Sequence, residues 1–121
     1  MATYSGNYDL EERTAKFGEN IIEICKKINA NTITRPLLNQ FVRSATSIGA
    51  NYMEANGASS KKDFRNKNFI CKKESQETKH WLRMIKIASK ENEEEILMLL
   101  KEANELTLIF NKITQTLDKK N

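Results

Sequence analysis

The sequence predicts an all-α fold, an antiparallel up-down-up-down four-helix bundle. Apolar residues recur at steps of three and four through four long segments, which is the spacing of one helix face. The 121 residues include only four glycines and one proline, too few for an all-β fold with many tight turns. Short connections between the segments favour antiparallel neighbours, and the length suits one domain over residues 1–121.

The first helix is predicted over residues 9–29. Asp9 and Glu12 have the spacing of a capping pair, and apolar positions then alternate at steps of four and three. The second helix is predicted over residues 35–56. Thr34 is its expected cap, Pro36 fits its first turn, and Gly57 marks its end.

The third helix is predicted over residues 61–90, because Ser60 with Asp63 three residues later is a start signal. Asn92 with Glu95 repeats that signal and predicts a fourth helix over residues 93–118. This last segment has the most regular apolar stripe of the chain: Ile96, Leu99, Leu100, Ala103, Leu106, Phe110, Ile113 and Leu117.

The second helix is unusually poor in charge. Residues 33–60 hold three charged side chains in a chain that is 30% charged, which indicates burial on more than one side, in part by another subunit. One stripe is an ordinary core face: Leu37, Phe41, Ala45, Ile48, Tyr52 and Ala55. The adjoining stripe is polar: Gln40, Arg43, Ser44, Ser47, Asn51 and Glu54. Burying such groups without partners is costly, so specific partners are expected.

This polar stripe and its neighbours resemble a known family. The residues that carry the resemblance are Gln40, Arg43, Ser44, Ser47, Ile48, Asn51, Glu54, Ala55, Ser60, Asp63, Phe64, Glu74, Glu77, Thr78, Trp81 and Leu82. The pattern resembles the four-helix-bundle proteins encoded in intervening sequences of bacterial 23S rRNA genes, often labelled S23 ribosomal proteins. The chain departs from that pattern at His80, where an aromatic residue is usual.

The resemblance implies a small cytosolic bundle that assembles into a homo-oligomer, a ring of five, without catalytic activity. The accessory variability protein of diversity-generating retroelements is a more distant relative by this interpretation. It is a similar bundle that forms a pentamer and binds nucleic acid and a reverse transcriptase. The ribosomal label reflects gene location and does not indicate a ribosome component.

Small side chains on the second helix favour self-association independently of the resemblance. Ser44, Ala45, Ser47, Gly49 and Ala50 allow another backbone to approach, and a glycine inside a helix costs about 1 kcal/mol unless packing requires it. We expect Arg43, Asn51 and Glu54 to pair with Glu74, Glu77 or Asp63, within the bundle or across subunits. The predicted buried polar network or oligomer interface is Gln40, Arg43, Ser47, Asn51, Glu54, Asp63, Glu74 and Glu77.

The third helix is the candidate nucleic-acid contact. Residues 61–86 hold nine basic side chains against three acidic ones, whereas residues 91–105 hold six glutamates against Lys101. The predicted contacts with RNA or DNA are Lys61, Lys62, Arg65, Lys72, Lys73, Lys79 and Arg83. The alternative is a solvated helix that pairs with the acidic fourth helix.

Other kinds of site have weaker signals. Glu77 and His80 have the spacing of di-iron ligands, with Glu74 one turn earlier, but such a site needs two histidines and the chain has one. Cys25 and Cys71 are interpreted as core residues. The N-terminal residues resemble neither a signal peptide nor an anchor, so a cytoplasmic location without membrane contact is expected.

These observations together predict a non-enzymatic, self-associating bundle without a cofactor, which binds nucleic acid or a nucleoprotein through its third helix. Two alternatives stay open. One is a protein-interaction scaffold that binds no nucleic acid, and the other is a metal-binding bundle.

Overall fold

The computed structural model describes residues 5–119, with side chains from Leu10 onward. That range contains four α-helices and no strand, which confirms the all-α prediction. The helices are α1 (Ser5–Lys27), α2 (Thr34–Asn56), α3 (Lys61–Ala88) and α4 (Glu93–Lys119), with a 3-10 turn at Lys90–Asn92. Because α1 already runs through Asp9, the predicted start of the first helix at that residue was wrong.

The side-chain hydrogen bonds at the start of α2 come from Asn31, three residues before the predicted cap Thr34. Asn31 Oδ1 accepts hydrogen bonds from the backbone N–H groups of Ile33 and Thr34, each at 2.9 Å. Thr34 Oγ1 instead accepts from Asn31 N and donates to Asn29 O, at 2.9 and 2.6 Å. The side-chain turn at Asn31 therefore leads into the helix, and Thr34 is its buried first residue.

α3 and α4 begin at Lys61 and Glu93, the residues that the sequence predicted, but only the start signal of α3 forms as expected. Ser60 Oγ accepts from the backbone N–H of Asp63 at 3.0 Å. Asn92 does not cap α4, since its Nδ2 donates to Ser89 Oγ at 2.8 Å within the 3-10 turn. Ser89 ends α3 and is itself 1% exposed, so this connection is packed against the bundle.

The core runs along the length of the bundle. α2 packs against α1 and α3, and α4 packs mainly against α3. The α2 stripe predicted for the core is buried at Phe41, Ala45, Ile48, Tyr52 and Ala55. The core residues of the other helices are Leu10, Phe17, Ile21, Ile24, Ile28, Cys71, Leu82, Ile85, Ile96, Ala103, Leu106 and Phe110.

The outward side of α2 remains open in the single chain. Gln40, Arg43 and Glu54 are classed as exposed, and Met53 is 56% exposed. One chain therefore does not enclose α2 on all sides, and its exposed side carries polar and charged residues together with Met53.

Gly49 has its packing partner inside the chain. A Cβ at Gly49 would lie 3.4 Å from backbone atoms of Thr14 and Ala15 in α1. Gly18 in α1 faces the backbone of Thr46 in α2 at 3.6 Å from the equivalent Cβ position. These two glycines let α1 and α2 pack closely, so the interpretation of Gly49 as a sign of contact between subunits loses its support.

We expect Gly49→Val to lower the free energy of unfolding by about 1–3 kcal/mol, because a branched side chain would push α1 away from α2. The matched control is Ala50→Val at the adjacent exposed position, which should cost about 0.5 kcal/mol through helix propensity. Urea unfolding followed by circular dichroism measures both. Equal losses in the two variants would contradict this account of Gly49.

Candidate nucleic-acid interface

Buried polar contacts fix the rotation of α3 against α2. Cys71 Sγ–H donates to Ile48 O at 3.5 Å, and a hydrogen bond of 2.9 Å joins Thr78 Oγ1 to Ser44 Oγ. All four residues are fully buried. With this side of α3 held against α2, the opposite side of the helix faces outward.

Arg43 joins α2 to α3 at the edge of this contact. Its Nη1 lies 3.3 Å from both carboxylate oxygens of Glu74, and its Nη2 contacts Glu77 Oε2. Gln40 Oε1 accepts from Arg43 Nε at 2.9 Å, and Trp81 Nε1 donates to Glu77 Oε2 at 2.9 Å. Arg43 therefore meets two of its expected partners within the same chain.

The contacts between Arg43, Glu74, Glu77 and Trp81 shift the pKa values of Glu77 and Arg43. The pKa of Glu77 lies below its ordinary value of 4.5, because the Trp81 hydrogen bond and the Arg43 charge outweigh partial burial. The pKa of Arg43 is raised, since the two carboxylates outweigh the opposing effect of desolvation. Both groups are thus held in their charged forms at neutral pH.

The other predicted members of the polar network lie elsewhere. Ser47 donates to Ser44 O at 2.9 Å, and Asn51 donates to Ser47 O at 2.8 Å, so both bond to the backbone of their own helix. Glu54 pairs with Lys67 of α3 at 2.7 Å. Within the chain, Asn51 and Glu54 therefore do not pair with the α3 carboxylates or Asp63, and their pairing across subunits stays a prediction.

Sequence reasoning missed Trp81 and Lys67 as partners of this network. Trp81 lies four residues after Glu77, so it shares the same helix face, and this spacing was the available signal. No comparable local signal links Glu54 to Lys67, because they lie on different helices.

Most basic side chains of α3 are free of ion pairs. Arg65 binds Asp118 Oδ1 through Nε and Nη2 at 2.9 and 2.7 Å, and Lys67 binds Glu54. Among the described residues, no acidic group lies within ion-pair distance of Lys61, Lys62, Lys72, Lys73, Lys79, Arg83 or Lys86. These seven residues are called the α3 basic surface below. Six of the seven predicted contacts thus keep an unpaired charge on the exposed or half-buried side of α3. The exception is Arg65, which is paired with Asp118.

The acidic part of α4 is turned toward α1 instead. Arg13 binds Glu102 through two hydrogen bonds of 2.7 Å and Glu105 through a third of 2.7 Å. Lys27 binds Glu95 at 2.9 Å. Apart from Arg65 with Asp118, no ion pair among the described residues joins α3 to α4, so the expected pairing of α3 with the acidic segment was wrong, while a solvated α3 stays the alternative.

The residues of the metal hypothesis do not converge. Arg43 and Trp81 bind Glu74 and Glu77 as described above, and the exposed His80 ring packs edge-on against Trp81 at 4.8 Å between centroids. No group of three or more His, Cys, Asp or Glu side chains in the described part of the chain has the arrangement of a metal site.

The two cysteines lie in or against the core, as the sequence predicted. Burial raises the pKa of the Cys25 thiol to about 11 and that of Cys71 to about 12, as for core cysteines. Cys71 is fully buried, and Cys25 packs against the core. Between residues 5 and 119, no helix has an apolar stretch long enough to cross a bilayer.

We expect Glu77→Gln to lower the free energy of unfolding by about 1 kcal/mol at pH 7, since the amide loses the charge that Arg43 and Trp81 stabilise. A lowered folded pKa contributes stability above the unfolded pKa near 4.5 and loses it as pH falls through the folded value. The difference from the parent protein should therefore shrink below about pH 4.5.

Urea unfolding at a series of pH values measures this difference. Glu12→Gln is the matched control, because Glu12 is exposed and makes no ion pair with any described residue. A Glu77→Gln effect that stays constant down to pH 3 would show that the charge of Glu77 contributes nothing.

Comparisons with known proteins agree with this architecture. A crystal structure of a protein with unknown function from the S23 ribosomal protein family of Bacteroides thetaiotaomicron VPI-5482 is similar, with a TM-score of 0.74 and 28% sequence identity. The similarity covers 86% of this chain and 96% of that chain. No curated protein matches the chain.

The family comparison covers most of the sequence. Residues 7–112, from α1 into the second half of α4, match the family described as 23S rRNA-intervening sequence protein. The resemblance first seen along α2 and α3 therefore extends over nearly the whole described range. The chain belongs to the 23S rRNA-intervening sequence protein family.

Proposed function

We propose that this protein is a non-enzymatic, self-associating bundle that binds nucleic acid, or a nucleoprotein, through the α3 basic surface. The observation that carries the proposal is the separation of charges in the fold. The acidic segment of α4 is partnered by α1, which leaves most cations of α3 without an ion-pair partner among the described residues.

Phosphate chemistry suits such a surface. A row of lysines along one helix neutralises backbone phosphates and releases their counterions, which favours binding without sequence preference. The α3 basic surface spans positions 61–86 on a helix, roughly 37 Å at 1.5 Å per residue. That length matches several consecutive phosphates rather than a single small anion.

The proposed assembly is a ring of five antiparallel bundles. Along the α2–α3 contact, Arg43 lies beside Glu77 and Glu54 lies beside Lys67. The residue number rises along α2 while it falls along α3, which supports the antiparallel arrangement. Exposed apolar side chains on the α1–α2 side, Ile22 at 42% and Met53 at 56%, support burial by a second copy. In a ring, the α3 basic surface is repeated, and weak contacts add through multivalency.

A scaffold that binds another protein is the second candidate. Large apolar side chains on other surfaces favour it, since Ile87, Met98 and Leu108 are 69%, 70% and 67% exposed. It predicts assembly without nucleic-acid binding at any salt concentration. The cytoplasm is the proposed location in both cases.

We expect the triple variant Lys72→Gln, Lys73→Gln, Lys79→Gln to weaken RNA binding and to lower its salt dependence. Loss of three phosphate contacts should reduce the slope of log affinity against log salt by about 2. Fluorescence anisotropy with a labelled RNA oligonucleotide at several salt concentrations measures both quantities.

The matched control for this triple variant removes the same charge from other helices, at Lys16, Lys26 and Lys112. It should leave the salt slope near the parent value. Equal effects of the two triple variants would place the binding outside α3, and absence of RNA and DNA binding by the parent protein at low salt would favour the scaffold.

We expect light scattering on the size-exclusion peak to give five times the 14.0 kDa chain mass. Met53→Glu should dissociate the assembly, because it places a charge in the proposed contact, whereas Gln115→Glu on the exposed side of α4 should not. A parent protein that is monomeric at micromolar concentration would overturn the ring.

A further inference from the structure

Phe69 differs from the other phenylalanines of the chain. Phe17, Phe41 and Phe110 are at most 1% exposed, and Phe64 packs against the core. Phe69 belongs neither to the core nor to the residues that pack against it, and it lies half-buried on α3 between positions of the basic surface. The Phe69 ring therefore lies outside the core and is in part open to solvent.

Two cations contact the Phe69 ring. The Arg65 guanidinium lies 4.8 Å from the ring centroid, and the Lys72 ammonium lies 5.8 Å from it. Asp118 holds the guanidinium through two hydrogen bonds, so Arg65 is fixed in place. Lys72 has no acidic partner among the described residues, and its distance from the ring is close to the limit of about 6 Å for a cation–π contact. Its ammonium group is therefore held only weakly at the ring.

We infer that Phe69 is a stacking residue for an unpaired base, so that the α3 basic surface binds single-stranded nucleic acid in preference to duplex. This inference rests on the proposed function and adds a substrate class to it. The base takes the place of the Lys72 ammonium at the ring, and Lys72 turns to the adjacent phosphate. Arg65 remains against Phe69 and supports the stacked pair.

The physical reason for the preference is access to base faces. Both strand forms present phosphates to the lysines, so electrostatics alone discriminates little between them. In a duplex the base faces are covered by their neighbours, whereas a single strand leaves them available to an aromatic ring beside a basic track. Phe69 is a flat ring outside the core with cations on either side of it in the sequence, and it therefore suits the bases of a single strand.

The test compares Phe69→Leu, which keeps an apolar side chain but loses the flat ring, with Phe69→Trp, which keeps the flat ring. Anisotropy titrations use a labelled single-stranded RNA and the same RNA annealed to its complement. Phe69→Leu should weaken single-strand binding by about fivefold or more and leave duplex binding unchanged. Phe69→Trp should retain single-strand affinity. Circular dichroism and light scattering establish that both variants keep the helical content and assembly of the parent.

The outcomes separate this inference from the proposed function. If the lysine triple variant loses RNA but Phe69→Leu binds single strands as the parent does, stacking is wrong and the basic surface stands. If the parent binds neither RNA form, both proposals are wrong. If Phe69→Leu dissociates the assembly and its affinities for both RNA forms fall together, Phe69 is a contact between subunits and the stacking inference is overturned.

Discussion

The fixed rotation of α3 against α2 is the constraint on which the rest of the structure depends. The buried contacts of Cys71 with Ile48 and of Thr78 with Ser44 join the two helices along this seam, in addition to the bonds that both hydroxyl groups make within their own helices. A rotated α3 would bury lysines and expose the core residues Leu82 and Ile85 to water, and both changes are costly. The same contacts that hold the bundle together therefore also turn the basic side of α3 outward.

The second feature of the bundle is how it distributes charge. Its acidic helix segment lies beside Arg13 and Lys27 of α1, which satisfy three of its glutamates. Had these glutamates faced α3, the lysines would have been neutralised inside the molecule, and no basic surface would remain. The net charge of +4 is thus a poor measure of what a partner meets, since the free positive charge is concentrated on one helix.

Arg43 and Gly49 show two different ways in which α2 joins its neighbours. Arg43 spans to α3 through two carboxylates at a partly exposed edge, where the pair contributes orientation more reliably than stability. Gly49 allows the α1 backbone to approach by having no side chain. Both features lie on the helix that the sequence marks as unusual, and each has its partner within the chain.

The sequence by itself determined the helical class, the four segments, the core stripe of α2 and the start of α3 at Ser60. Apolar periodicity and a capping hydrogen bond are properties of a few neighbouring residues, so they can be read without the fold. The first helix begins at Ser5 rather than at residue 9, and the side-chain bonds of Asn31 and Ser89 take the place of the caps expected at Thr34 and Asn92, which the capping pattern did not reveal.

Only the tertiary structure decided which charges are paired and which are free. Arg43 and Glu74 are 31 positions apart and Arg13 and Glu102 are 89 apart, so their meeting depends on the rotation and register of whole helices. For the same reason the sequence did not show that Glu54 takes Lys67 or that Gly49 faces α1. Composition located the basic helix, but the packing of the other three helices left most of its cations without an ion-pair partner.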